Sequence, residues 1–145
     1  MKSTSPPVTE RAGYLVKQLQ HALRARMDDE LGALGLSTGQ YALLAAIEEV
    51  PGSSGADLAR RCFITPQSVN GLLAGLQKEG LIERSASPTH GRIVETMLSA
   101  QGQQTLKTAH KLVAEIESGM LRLLNGTQRR EFVALLKNCI EGLGH

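Results

Sequence analysis

Apolar positions recur with helical spacing over most of the chain. Leu15, Leu19, Leu23, Met27 and Leu31 stand four residues apart. They form one continuous stripe on a helix predicted from about Glu10 to Leu34 and ended by Gly35. "LSTGQY" then carries the start signals of a second helix. Ser37 can cap it, Gln40 can close a capping box, and Leu36 can pack on Tyr41 as a hydrophobic staple. This helix, "TGQYALLAAIEEV", stops at "PGSS". Ser54 opens a short third helix, "GADLARRC", with Asp57 three residues on in a box-like arrangement, and Phe63 and Ile64 turn the chain. Thr65 caps a fourth helix, "TPQSVNGLLAGLQ". Pro66 stands at its first position, where a missing N–H costs nothing, and Gly80 ends it.

The period then changes. "LIERSAS" and "RIVETML" read as strands separated by "PTHG", a β-hairpin. Ser99 restarts helix, and Leu106, Ala109, Val113, Ile116, Met120 and Leu123 alternate three and four apart, close to a coiled-coil seam. "NGT" breaks that helix and Thr127 is expected to cap the last one. Its single apolar face is Phe132, Leu135, Leu136, Cys139, Ile140 and Leu143. The predicted fold is mainly α with a small β wing: a winged helix-turn-helix core flanked by N- and C-terminal dimerisation helices. The expected division of this compact chain is a flexible tail over 1–9, an N-terminal dimerisation helix over 10–36, the winged region over 37–99 and C-terminal dimerisation helices over 100–145. The stripes on the first and last helices need burial. Packing against their copies in a second subunit makes a symmetric dimer; packing on the central region alone is the alternative.

A short helix, a tight turn and a second helix make a helix-turn-helix, whose second helix enters the major groove with its N-terminal residues at base edges. That placement gives a use to an unusual outer face. None of the thirteen residues from Thr65 to Gln77 is charged, whereas a solvated helix face usually carries Lys and Glu. Gln67 and Asn70 can read adenine bidentately, Ser68 and Thr65 can contact bases or phosphates, and Gly71, Ala74 and Gly75 leave room for the duplex. The helix N-terminus at Thr65 favours a nearby phosphate. The competing readings are an ordinary polar face and glycines kept for tight packing.

Composition adds bounds. The 145 residues suffice for one domain with a real core, and 41% apolar with 21% charged content fits a globular protein. No apolar run approaches the roughly 18 residues of a membrane span. "MKSTSPPVT" lacks the apolar core of a signal peptide, so a cytoplasmic location is expected. The formal net charge of +2 is spread evenly along the chain, so any case for a nucleic-acid partner rests on where particular charges sit. No Gly-rich phosphate loop, nucleophile motif or telling carboxylate pair points to an enzyme or a cofactor. His21, His90, His110 and His145 show no metal-ligand spacing. Cys62 and Cys139 are too few for a disulfide scaffold, and both read as small apolar core residues; a redox role for either is an alternative.

"LSTGQYALLAAI…ADLARRCFITPQSVNGLLAGLQKEGLIER…PTHGRIVETMLSAQG" resembles the MarR family of winged-helix transcription regulators. The likeness runs over about residues 10 to 143, carried by the "LSTGQ" helix start, the "LQKEGLIER" passage into the wing, and "GR" followed by "LSAQG". The resemblance implies a homodimer on a roughly palindromic double-stranded operator, with recognition helices in successive major grooves and wings along the minor groove. By position it implies Gln67, Ser68 and Asn70 facing bases and Thr65 near the backbone. It also implies Arg92 in the minor groove with Thr89 and His90 beside it, and Arg60, Arg61, Lys78 and Arg84 as phosphate contacts or plain solvated surface. The chain departs from the family in the wing, where Ser87, Thr89 and Gly91 replace the usual acidic residues. The family commonly couples DNA binding to a small aromatic or lipophilic effector or to thiol oxidation. The implied reading is a repressor released by such an effector, with His21, Arg24 and Tyr41 as candidate pocket linings between the core and the terminal helices. A winged-helix module for protein contacts without DNA binding is the rival.

Overall fold

The computed structural model describes residues 5–145; the start of the expected tail, residues 1–4, lies outside them. A 3-10 turn, Val8–Glu10, occupies the end of that tail. Six helices and one hairpin follow: α1 (Ala12–Gly32), α2 (Thr38–Glu49), α3 (Gly55–Arg61), α4 (Pro66–Lys78), β1 (Ile82–Ala86), β2 (Val94–Leu98), α5 (Ala100–Met120) and α6 (Gly126–Gly142). β1 and β2 pair antiparallel, Ile82 opposite Leu98 and Ala86 opposite Val94. A bridge from Ser53 to Thr96 adds a third edge that ties the wing to the loop after α2.

Local chemistry starts most of these helices. Ser37 and Gln40 form the reciprocal capping box of α2. The Ser54 hydroxyl accepts from the Asp57 amide, but the Asp57 carboxylate takes the Arg60 guanidinium, so only half of that box forms. Thr65 accepts from the Ser68 amide with Pro66 in the first turn, and Ser99 caps α5. Two expectations change. α5 ends at Met120, which leaves Leu123 86% exposed in the following turn. The cap of α6 is Asn125, not Thr127. Asn125 accepts from the Gln128 amide while Gln128 accepts from the Asn125 amide, so two donors are satisfied at once.

The core lies where α2, α4 and α5 meet the hairpin. Leu31, Leu43, Leu44, Leu58, Leu73, Leu76 and Leu106 are fully buried there. Only the C-terminal part of the α1 stripe takes part. Leu31 is buried, Leu23 and Met27 are half-buried, and Leu15 and Leu19 stay exposed. α6 has no buried residue, so its apolar face is left open, and Cys139 is exposed rather than a core residue. Among the described residues, no helix is long and apolar enough to cross a membrane.

Candidate nucleic-acid interface

α3, a four-residue turn and α4 stand in helix-turn-helix order, with the hairpin immediately after. α4 is held by Val69, Leu73 and Leu76, all buried. Its opposite face presents Gln67, Ser68, Asn70, Gly71 and Ala74 to solvent. The two glycines separate. A Cβ on Gly75 would stand 3.3 Å from the Gln40 amide nitrogen, so Gly75 serves close packing against α2. A Cβ on Gly71 would meet nothing within 4 Å, so Gly71 opens outward. Between Asp57 and Glu79 the sequence has no acidic residue, which leaves the outward face of α4 without a carboxylate to repel a phosphate.

The expected phosphate contacts have different fates. Arg61 is taken up by the fold, donating to the Ala46 carbonyl at 2.9 Å and to Glu49 at 2.7 Å, and so pins α3 to α2. Arg60 is exposed but paired with Asp57. Lys78 is exposed at the far end of α4, away from Thr65. Arg84 is half-buried on β1 and its Nε has no partner. A Cβ on Gly55 would lie 3.9 Å from Arg84 Nη2 and 4.0 Å from Asn70 Oδ1, so the wing, the recognition helix and the start of α3 converge at that glycine.

The wing loop is shaped by Ser87. Ser87 is buried, its amide donates to the Ile93 carbonyl at 2.7 Å, and its hydroxyl accepts from the amides of Thr89 and His90. A short neutral acceptor thus closes the loop, and Thr89, His90 and Arg92 project outward from it, all exposed.

The three expected pocket residues do not gather. His21 and Arg24 are exposed on α1, Arg24 beside Asp28, and Tyr41 points across to α5. Tyr41 lies 2.8 Å from His110 Nδ1, and His110 Nε2 lies 3.0 Å from Glu48. Burial, then Glu117 and Glu48, push the Tyr41 phenol above its ordinary value. His110 thus bridges the phenol and the carboxylate through its two ring nitrogens. Sequence reasoning missed His110 and Glu48 because they stand 69 and seven residues from Tyr41 in motifs of no fixed spacing. Beside these three side chains a cavity of about 550 Å³ opens between α2, β2 and α5, with Ile47, Met97 and Leu98 as apolar wall and Lys107, Lys111 and the His110–Glu48 pair at its rim. A second cavity, of about 420 Å³, lies between α1 and α5. Neither is lined by His21, Arg24 or Tyr41. Cys62 is half-buried, and burial pushes its thiol up more than nearby Arg61 pulls it down, which favours the less reactive protonated form.

A MarR family profile matches residues 34–93, from the end of the α1 turn to the wing. The HTH-type transcriptional repressor Rv2887 of Mycobacterium tuberculosis is 34% identical over 125 residues, 86% of this chain and 90% of its own. The chain belongs to the MarR family. Two solved structures agree over nearly the whole fold. The M. tuberculosis MarR family protein Rv2887 in complex with salicylic acid has a TM-score of 0.75 at 32% identity, covering 94% of this chain and 98% of its own. The transcriptional repressor CouR bound to a 23-mer DNA duplex has a TM-score of 0.84 at 26% identity, covering 94% of this chain and 99% of its own. MarR kinship therefore spans the terminal helices as well as the profile-matched core.

Proposed function

We propose that this chain is a DNA-binding transcriptional repressor that acts as a homodimer in the cytoplasm and is released by a small aromatic carboxylate. The observation that carries the DNA reading is the exposed, acid-free face of α4 in a helix-turn-helix whose wing projects an exposed Arg92. Gln67, Ser68 and Asn70 face the bases, Thr65 meets the backbone, and Arg92 enters the minor groove, where negative potential attracts it. Thr89 and His90 flank that entry. Arg84 and, at the far end of α4, Lys78 are candidates for further phosphate contacts; Arg60 joins them only by leaving Asp57, and Arg61 only by leaving Glu49. The repressor complexes with DNA and with salicylic acid among the relatives support both halves of this reading.

The dimer follows from what the single chain leaves uncovered. Leu15, Val16 and Leu19 on α1 and Leu135, Leu136 and Ile140 on α6 are exposed apolar side chains. A two-fold interface buries both terminal elements and spaces two α4 helices for successive major grooves. The effector reading uses the cavity between α2, β2 and α5. Its apolar wall suits an aromatic ring, and Lys107 and Lys111 suit a carboxylate, the one acidic lining residue, Glu48, being paired with His110. Because the cavity joins α5 to the wing, an effector that prefers one arrangement of these elements shifts operator affinity by linkage.

The primary test is a gel shift with the DNA upstream of the chain's own gene, over a range of salt. The expected result is salt-dependent retention of a dimer; no binding to any duplex would leave the protein-interaction alternative. Arg92→Ala is expected to weaken binding across sequences and to lower the slope of log K against log salt by about one unit per protomer; an unchanged slope contradicts a charge contact at the wing. Adding salicylic acid is expected to weaken retention several-fold, and by reciprocity operator DNA should weaken salicylate binding by the same factor. Equal retention with and without salicylate and related ring acids would remove the effector half.

A further inference from the structure

The turn between α3 and α4 contains a side chain that the fold does not use. Phe63 is 91% exposed and holds a left-handed backbone, φ 56, the one described non-glycine residue at positive φ. Its conformation is that of a helix-terminating motif. The Phe63 amide donates to the Arg60 carbonyl and the Ile64 amide to the Ala59 carbonyl. The same pair of bonds closes α1 at Gly35, α4 at Gly80 and α6 at Gly144. In those three the left-handed position is glycine, which adopts it without steric penalty. At α3 alone it holds a bulky aromatic residue, whose ring gains no burial in return.

A strained and exposed aromatic residue is a reason to look for a partner. We infer that Phe63 is a DNA contact, its ring seated on the sugars or a thymine methyl at the edge of the major groove beside the N-terminus of α4. The inference rests on the DNA-binding reading above. Three features choose DNA as the occupant. Phe63 stands two residues before the Thr65 cap, so it lies at the end of α4 that approaches the bases. It borders α4, whose exposed outer face carries no acidic residue to repel a phosphate. Phenyl rings make apolar contact with thymine methyl groups, a contact that releases no counterions. Phe63 thus supplies a salt-independent part of the affinity, complementary to Arg92.

The test compares Phe63→Gly, Phe63→Tyr and the unaltered chain for binding to duplexes selected by the unaltered chain from a randomised pool. Phe63→Gly relieves the backbone, so its melting temperature is expected to equal or exceed that of the unaltered protein. Its affinity is expected to fall about tenfold per half-site, the effect of roughly 50 Å² of ring left in water. The salt slope should not change. Phe63→Tyr keeps the ring and should keep the affinity. If Phe63→Gly binds the selected duplexes as tightly as the unaltered chain, or if its loss is accompanied by a reduced salt slope, the inference is overturned while the DNA-binding reading stands. If the unaltered chain selects no duplex, both are overturned.

Discussion

Gly102→Ala is expected to destabilise the protein by about 3 kcal/mol, the upper range for overpacking a site that cannot relax. Gly102 stands in the first turn of α5. A Cβ there would lie 1.9 Å from the Leu81 carbonyl oxygen and 2.9 Å from its carbon. These are backbone atoms, so no rotamer change clears the clash. Leu81 is itself fixed from both sides. Its amide donates to the Leu76 carbonyl at the end of α4, and its carbonyl accepts from the Ser99 amide. The Ser99 hydroxyl donates to the Gly80 carbonyl and accepts from the Gly102 amide. The end of the recognition helix and the start of α5 are therefore latched backbone to backbone, and even one methyl group must push them apart. Thermal unfolding should show a fall in melting temperature of roughly 10 °C for a chain of this size. Gly71→Ala is the control: its Cβ meets open space in a helix, so stability should hold or rise slightly. Equal melting temperatures for Gly102→Ala and the unaltered chain would contradict the latch.

Ser68→Glu should abolish DNA binding without harming the fold. Ser68 is the third residue of α4, and its amide already donates to the Thr65 hydroxyl. Glutamate at that position completes the reciprocal capping box and places a negative charge at the positive end of the helix dipole. Stability should therefore be kept or raised by a few tenths of a kcal/mol, as read by urea or thermal unfolding. The same carboxylate would face the phosphates from within the acid-free face. Like charges brought together at an interface cost several kcal/mol, so operator affinity should fall by at least about a hundredfold. A variant that melts as the unaltered protein does and still binds the duplex would show that this face of α4 does not enter the groove. The prediction also explains the composition of the face. The residue type that would best start this helix is absent from the position that would best use it.

Such local rules were legible before any coordinates. Ser37, Ser54, Thr65 and Ser99 start helices because a cap is a bond between residues three apart, and the chain writes that spacing directly. The same spacing joins Asn125 and Gln128, two residues before the expected Thr127 cap. The stripes on α1 and α6 were legible as faces that need burial. Their incomplete burial was not, because covering them depends on what packs there, and the N-terminal half of the α1 stripe and most of the α6 face stay open in the single chain.

By itself the sequence determined the element order, most helix starts and the uncharged outer face of α4, which follow from periodicity, capping and residue type over short spans; the likeness to MarR regulators was a resemblance of motifs. The tertiary structure decided which of these residues are available for function. Arg61 is occupied because Ala46 and Glu49 happen to face it across α2. Gly75 packs on Gln40 whereas Gly71 opens outward. Gly102 matters because a backbone carbonyl from another element approaches it. Tyr41 joins His110 and Glu48, although 69 residues separate Tyr41 from His110. Phe63 sits at a glycine's position with its ring in solvent. Each of these is a contact, or its absence, between segments distant in the chain, and no local spacing encodes which segments meet.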